Sequence, residues 1–175
     1  LELVVVLAII GVMAVIGFPT FSGWISRARL RDAARTVFSD MQLARIRAIE
    51  NGGFDRDSGW RLEFDPAAGA YTVISQGADM LLGTDDDITE KTVPLLDDNP
   101  GVSFGTDQGP IPDASEPDDG VSFNGNRVDF LPMGRADRGG TVYLKNERGE
   151  TFAISLEFNN ARVKMWRNYG GNWED

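Results

Sequence analysis

The chain has 175 residues, a net charge of −10, and neither cysteine nor histidine. That removes disulfides, thiolate metal sites, imidazole acid–base chemistry and the commonest zinc ligands, so the composition speaks for a structural or binding role and not for an enzyme. The acidity is local, with net +2 over residues 1–50, −13 over 51–120 and +1 over 121–175, which opposes whole-molecule attraction to nucleic acid but is compatible with cation binding.

The first element is an apolar helix with an acid at its head. Glu2 is followed by "LVVVLAIIGVMAVIGF", residues 3–18, without a polar side chain. A carboxylate beside hydrocarbon marks a partner or a function more than packing. With Phe21, Trp24 and Ile25 the run reaches about 20 residues, roughly the thickness of a bilayer core at about 1.5 Å per residue. No basic stretch precedes it and no small-residue cleavage site follows it, so a cleaved signal peptide is the poorer reading. Gly17 and Pro19 predict a kink or a local loosening of the helix more than its end.

Beyond Trp24 the pattern becomes amphipathic. Leu30, Ala34, Val37, Met41, Ala44 and Ala48 recur at steps of four and three, the mark of one buried stripe. Arg27, Arg31 and Arg35 follow one another on another face, and Asn51-Gly52-Gly53 supplies a stop. One long helix is expected, apolar all round over 1–25 and amphipathic over 26–52.

Residues 53–175 read as a globular head. "WRLEF" and "AYTVIS" flank a Pro-Ala-Ala-Gly turn and predict a hairpin. "VSF", "RVDFL", "TVYLK", "FAISLE" and "ARVKMW" predict further strands of an antiparallel sheet, with "FNGN" carrying the strongest hairpin dipeptide. An acidic loop region is expected over about 76–120, its second part rich in Pro, Gly and Asp. No internal repeat or second domain is evident. The fold class is therefore α+β, with a long N-terminal helix packed on an antiparallel β head.

Two stretches carry a family resemblance. The N-terminus, with Glu2, the aliphatic run, Gly11 and Pro19, resembles that of type IV pilins and type II secretion pseudopilins. The second half, with Phe123, Arg127, Val128, Phe130, Pro132 and Gly134, then Gly140-Thr141-Val142, then Ala161-Arg162-Val163-Lys164, is similar to the GspH/FimT subfamily. The resemblance implies a subunit held in the inner membrane by its helix, with its head in the periplasm, then assembled with identical or homologous pilin subunits into a pilus or pseudopilus. It also implies a prepilin peptidase, an inner-membrane assembly machinery, and a mature N-terminus with a methylated residue ahead of Leu1. Glu2 would pair with the N-terminal amine of a neighbouring subunit, an arrangement that fixes register better than it adds stability. The arginines after the span would by themselves favour a cytoplasmic head; the family's basic leader opposes them, and the resemblance places the head outside.

Two candidate sites lie in the head. In "SQGADMLLGTDDDIT", residues 75–89, the carboxylates of Asp79, Asp85 and Asp87 among glycines offer hard oxygen ligands suited to Ca2+. The loop resembles the "G-x-D-G-x-x-G-T-x-D-D-I" loops of some pilin-like proteins, with Met80 standing in place of a glycine; a solvated acidic turn is the other reading. In the C-terminal strand, Arg162, Lys164 and Arg167 beside Trp166 combine cations with an aromatic, as phosphate contact and base stacking require. Some FimT-like pilins use a "G-R-V-R" tail to hold DNA. Here Ala161 replaces the glycine and Lys164 the second arginine, which keeps charge but loses the bidentate fork; an ordinary outward strand face is the other reading.

Overall fold

The computed structural model describes residues 2–51, 58–112, 114 and 117–175, without the side chains of 13–22 and 51. A single helix, α1 (Glu2–Asn51), runs through the whole N-terminal region. The side chain of Pro19 and the Gly52-Gly53 stop lie outside the described residues. The expected stripe is the buried one: Leu30, Ala34, Val37, Met41, Ala44 and Ala48 are at most 1% exposed, and Ala33 joins them.

The head consists of two four-stranded antiparallel sheets where one was expected. The first has the order β3-β2-β1-β5, formed by β1 (Trp60–Asp65), β2 (Ala70–Ser75), β3 (Ile88–Val93) and β5 (Arg127–Phe130). The second has the order β4-β6-β7-β8, formed by β4 (Val102–Phe104), β6 (Gly140–Asn146), β7 (Thr151–Leu156) and β8 (Val163–Asn168). A short helix, α2 (Leu95–Asp98), links β3 to β4. The helix α1 packs on strands of both sheets, so its buried stripe is the seam between them.

The β1–β2 hairpin forms as the alternation demands, with Leu62 opposite Val73 and Phe64 opposite Tyr71 on the core face. On the other face Arg61 is buried opposite Asp129 of β5, and its guanidinium binds that carboxylate through two bonds of 2.6 and 2.9 Å. The near-continuous apolar character of β6 and β7 also has a structural cause. Val142, Leu144, Phe152 and Ile154 face the main core. Tyr143 and Ala153 point the other way, into a second small cluster with Ile111, Trp166 and Trp173.

Two expectations need correction. The Asn-Gly pair does not make a hairpin. Gly125 and Asn126 do take positive φ (70° and 53°), but Val121 bridges to Val142 of the second sheet while β5 pairs with β1 of the first. The turn therefore carries the chain from one sheet to the other. The region 76–120 is not a simple acidic loop either: it contributes α2, β3 and β4, and Ile111 is 5% exposed, its amide donating to the Tyr143 hydroxyl. After β5, the Pro132-Met133-Gly134 stretch makes a tight turn closed by Gly134 N–H to Leu131 O (2.9 Å), with Gly134 at φ +71° beneath Ile49. The left-handed backbone there favours glycine, and a Cβ would also press on the tip of the Ile49 side chain.

A polar latch joins helix to sheet inside this seam. Tyr71 donates to Asp40 Oδ2 (2.5 Å), and Lys91 Nζ lies 2.8 Å from the same oxygen. Burial, reinforced by the Asp40 hydrogen bond and charge, holds the Tyr71 phenol far above its usual pKa, so it is a donor at neutral pH. Tyr71→Phe should lower the unfolding free energy by about 1.5–3 kcal/mol, the usual worth of a hydrogen bond to a charged group. Urea denaturation at neutral pH measures this, and an unchanged midpoint would show the latch to be idle.

Candidate functional sites

The N-terminal segment is the first. Glu2, Gly11 and the aliphatic side chains from Leu3 to Val12 are exposed, with no described residue of the head against them. Glu2 has no ion-pair partner among the described residues. Among the described residues no helix is long and apolar enough to cross a membrane; the side chains of 13–22, the middle of the apolar run, lie outside them.

The acidic loop is the second. Its carboxylates mainly organise the turn. Asp79 accepts from the Leu81 amide (2.9 Å), Asp87 from the Gly83 amide (2.7 Å), and Asp86 from both the Asp79 amide (3.0 Å) and the Thr84 hydroxyl (2.7 Å). The Thr84 hydrogen bond, followed by that of the Asp79 amide, pulls the Asp86 pKa below the usual range. Met80, in place of the pattern's glycine, takes φ +60°. The loop does not bring Asp79, Asp85 and Asp87 together: among the described residues no group of three acidic side chains is arranged to hold a metal.

The C-terminal strand is the third, and the sheet divides its cations. Alternation along β8 sends Lys164 and Trp166 to the outer face, with Ser155 and Glu157, and sends Arg167 to the helix side. Lys164 pairs with Glu157 (3.3 Å) and Arg167 with Glu174 (3.0 Å), while Trp166 donates its indole N–H to Ser155. Arg162 precedes the strand, its amide bound by Asn160. Ala161 sits at φ +46°, which explains why glycine suits that position in the pattern it resembles.

A fourth constellation escaped the sequence. Arg27 of α1 donates through Nε (3.1 Å) and Nη2 to the carboxylate of Glu150, in the β6–β7 turn. Glu150 is 6% exposed and also accepts from Asn146 Nδ2 (2.9 Å), while the Arg27 guanidinium stacks 4.6 Å from the Tyr169 ring centroid. One turn lower, the Arg148 guanidinium rests against Gly23, so close that a Cβ there would collide with it. Arg29 donates to the carbonyl of Pro100 (3.1 Å). Together these clamp the helix at the rim of the head. The arginine spacing announced a charged face, but Arg27 and Glu150 are 123 positions apart and no local pattern links them.

Burial alone would raise the Glu150 pKa. The Arg27 and Asn146 hydrogen bonds and the charges of Arg27 and Arg148 outweigh it, and the net shift is downward from 4.5. A carboxylate depressed on folding adds stability that is complete above its unfolded pKa and is lost as pH falls through its folded one. Acid titration of stability below pH about 4.5 should therefore be steeper for the native chain than for Glu150→Gln; equal slopes would mean the clamp contributes nothing.

Comparison with known proteins adds an independent line. The family described as "Type II transport protein GspH" matches residues 33–161, about three quarters of the chain. One similar solved structure is that of the minor pseudopilin EpsH from the Type 2 Secretion System of Vibrio cholerae. It shares 15% sequence identity over 78% of this chain and 95% of that one, with a TM-score of 0.47. No curated protein matches the chain.

Proposed function

This chain belongs to the GspH family of type II transport proteins, and from that membership we propose that it is a structural subunit of a type II secretion pseudopilus, stored in the inner membrane with its head in the periplasm. The observation that carries the reading is the form of α1. Its second half is cemented into the head, whereas the exposed apolar side chains from Leu3 to Val12 have no cover within the described chain. Such a surface is stable in lipid or against other helices, and the two environments correspond to storage and to the assembled filament.

In this reading the mechanism is mechanical. The apolar helix leaves the bilayer and bundles with its neighbours, and the head faces outward. Glu2 supplies register, because a carboxylate in a dry bundle is tolerated only opposite a cation. Breaking such a pair costs about 3–5 kcal/mol through the charge left behind, which penalises every misaligned stacking.

The test is immunogold labelling, by electron microscopy, of filaments sheared from cells that produce the precursor. Labelled filaments are expected, and Glu2→Ala should abolish incorporation while leaving the head folded by circular dichroism. Filaments without label would overturn the reading, and a fully incorporated Glu2→Ala chain would remove the register role.

A further inference from the structure

The helix arginines do not simply end in solvent. Arg31 and Arg35 open onto a cleft of about 280 Å³ whose opposite wall is formed by Arg167, Tyr169, Glu174 and Asp175. Arg27 lies over the Tyr169 ring on the same side, and Arg148 reaches the helix at Gly23. Arginines from the helix, the β6–β7 turn and β8 thus form a collar where α1 leaves the head. Residues 23–35 hold four arginines against one acid, Asp32, in a chain whose net charge is −10.

Two of the helix cations, Arg31 and Arg35, are unspent. Arg27 is bound to Glu150 and Arg167 to Glu174, but Arg31 and Arg35 have no ion-pair or hydrogen-bond partner among the described residues. With Glu174 engaged, Asp175 alone opposes them in the cleft. Their direction matters as well. Cα–Cβ bonds of an α-helix tilt toward its N-terminus, so these long side chains lean down toward the apolar segment. Trp24, 67% exposed, stands at the boundary between the arginines and that segment, the place where indole rings are favoured at a membrane–water interface.

We propose that this collar docks on an anionic phospholipid surface, with Arg31 and Arg35 taking headgroup phosphates in the cleft while the helix is inserted. The inference rests on the membrane-stored state proposed above. Guanidinium and phosphate match through paired N–H···O bonds, and a basic residue near an anionic surface contributes about a fivefold preference. Docking would seat the head on the bilayer at a fixed height, and departure of the helix into a filament would have to break it.

The experiment uses the full chain reconstituted into phosphatidylcholine vesicles that carry trace spin-labelled phosphatidylglycerol or spin-labelled phosphatidylcholine. Electron paramagnetic resonance reads the fraction of each label that the protein immobilises. The expected result is an enrichment of phosphatidylglycerol over phosphatidylcholine of at least about fivefold, the preference that one arginine supplies, reduced toward unity by the Arg31→Gln/Arg35→Gln variant and by high salt. Equal immobilisation of both lipids by the native chain would overturn the collar while leaving insertion intact. No immobilisation of either would instead sink the membrane-stored state. Should the double variant keep its lipid selectivity but lose self-association in cross-linking, the cleft would belong to the acidic middle third of a second copy, and the lipid assignment would fall.

Discussion

Everything in the head depends on the close seating of one helical stripe between two sheets. The stripe is built largely of small residues: Ala33, Ala34, Ala44 and Ala48 alternate with Leu30, Val37 and Met41, all essentially without exposure. Alanine lets strands of both sheets approach the helix axis, and the larger side chains fill the spaces between. Each sheet exposes an apolar inner face that the other does not cover. Without the helix neither would have a partner, so the second half of α1 is as much part of the globular core as any strand. The latch through Asp40, Tyr71 and Lys91 and the clamp through Arg27 and Glu150 then fix the azimuth and the height of a helix whose apolar stripe alone would permit sliding.

The legible and illegible parts of the molecule divide along physical lines. The buried stripe could be read because helical period and burial coincide residue by residue from Leu30 to Ala48. The β1–β2 hairpin could be read because both strands alternate cleanly about a glycine turn, Gly69 at φ +68°. β3 could not: of its residues Ile88–Val93, all but the last are exposed, and Thr, Glu and Lys at an edge carry no alternation. β4, three residues long, exists because β6 offers it an edge. The Asn-Gly turn misled because local backbone preference settles the reversal but not which strands lie on either side; that was decided by the Val121–Val142 bridge and the Arg61–Asp129 pair.

The candidate sites follow the same rule. Charged residues could be seen, but their partners could not. The aspartates of the acidic loop satisfy the loop's own amides, a use that sequence presents in the same way as a ligand set. The basic residues of β8 look like one patch in one dimension, yet a strand alternates, so Arg167 joins the helix arginines and leaves Lys164 beside Trp166 and Glu157. The surfaces formed by chain-distant residues, the clamp and the collar, were invisible for the corresponding reason.

The clamp has a consequence for how the molecule bears load. A pull along α1 runs parallel to its seam with the sheets, so the contacts from Leu30 to Ala48 resist in shear and share the force. Peeling, in which contacts yield one after another, would have to begin at the rim, and that is where Arg27, Glu150 and Arg148 tie the helix down. Tension applied through the N-terminal segment is therefore spread over the whole seam, and the contacts that hold helix and head together share it from Leu30 to Ala48.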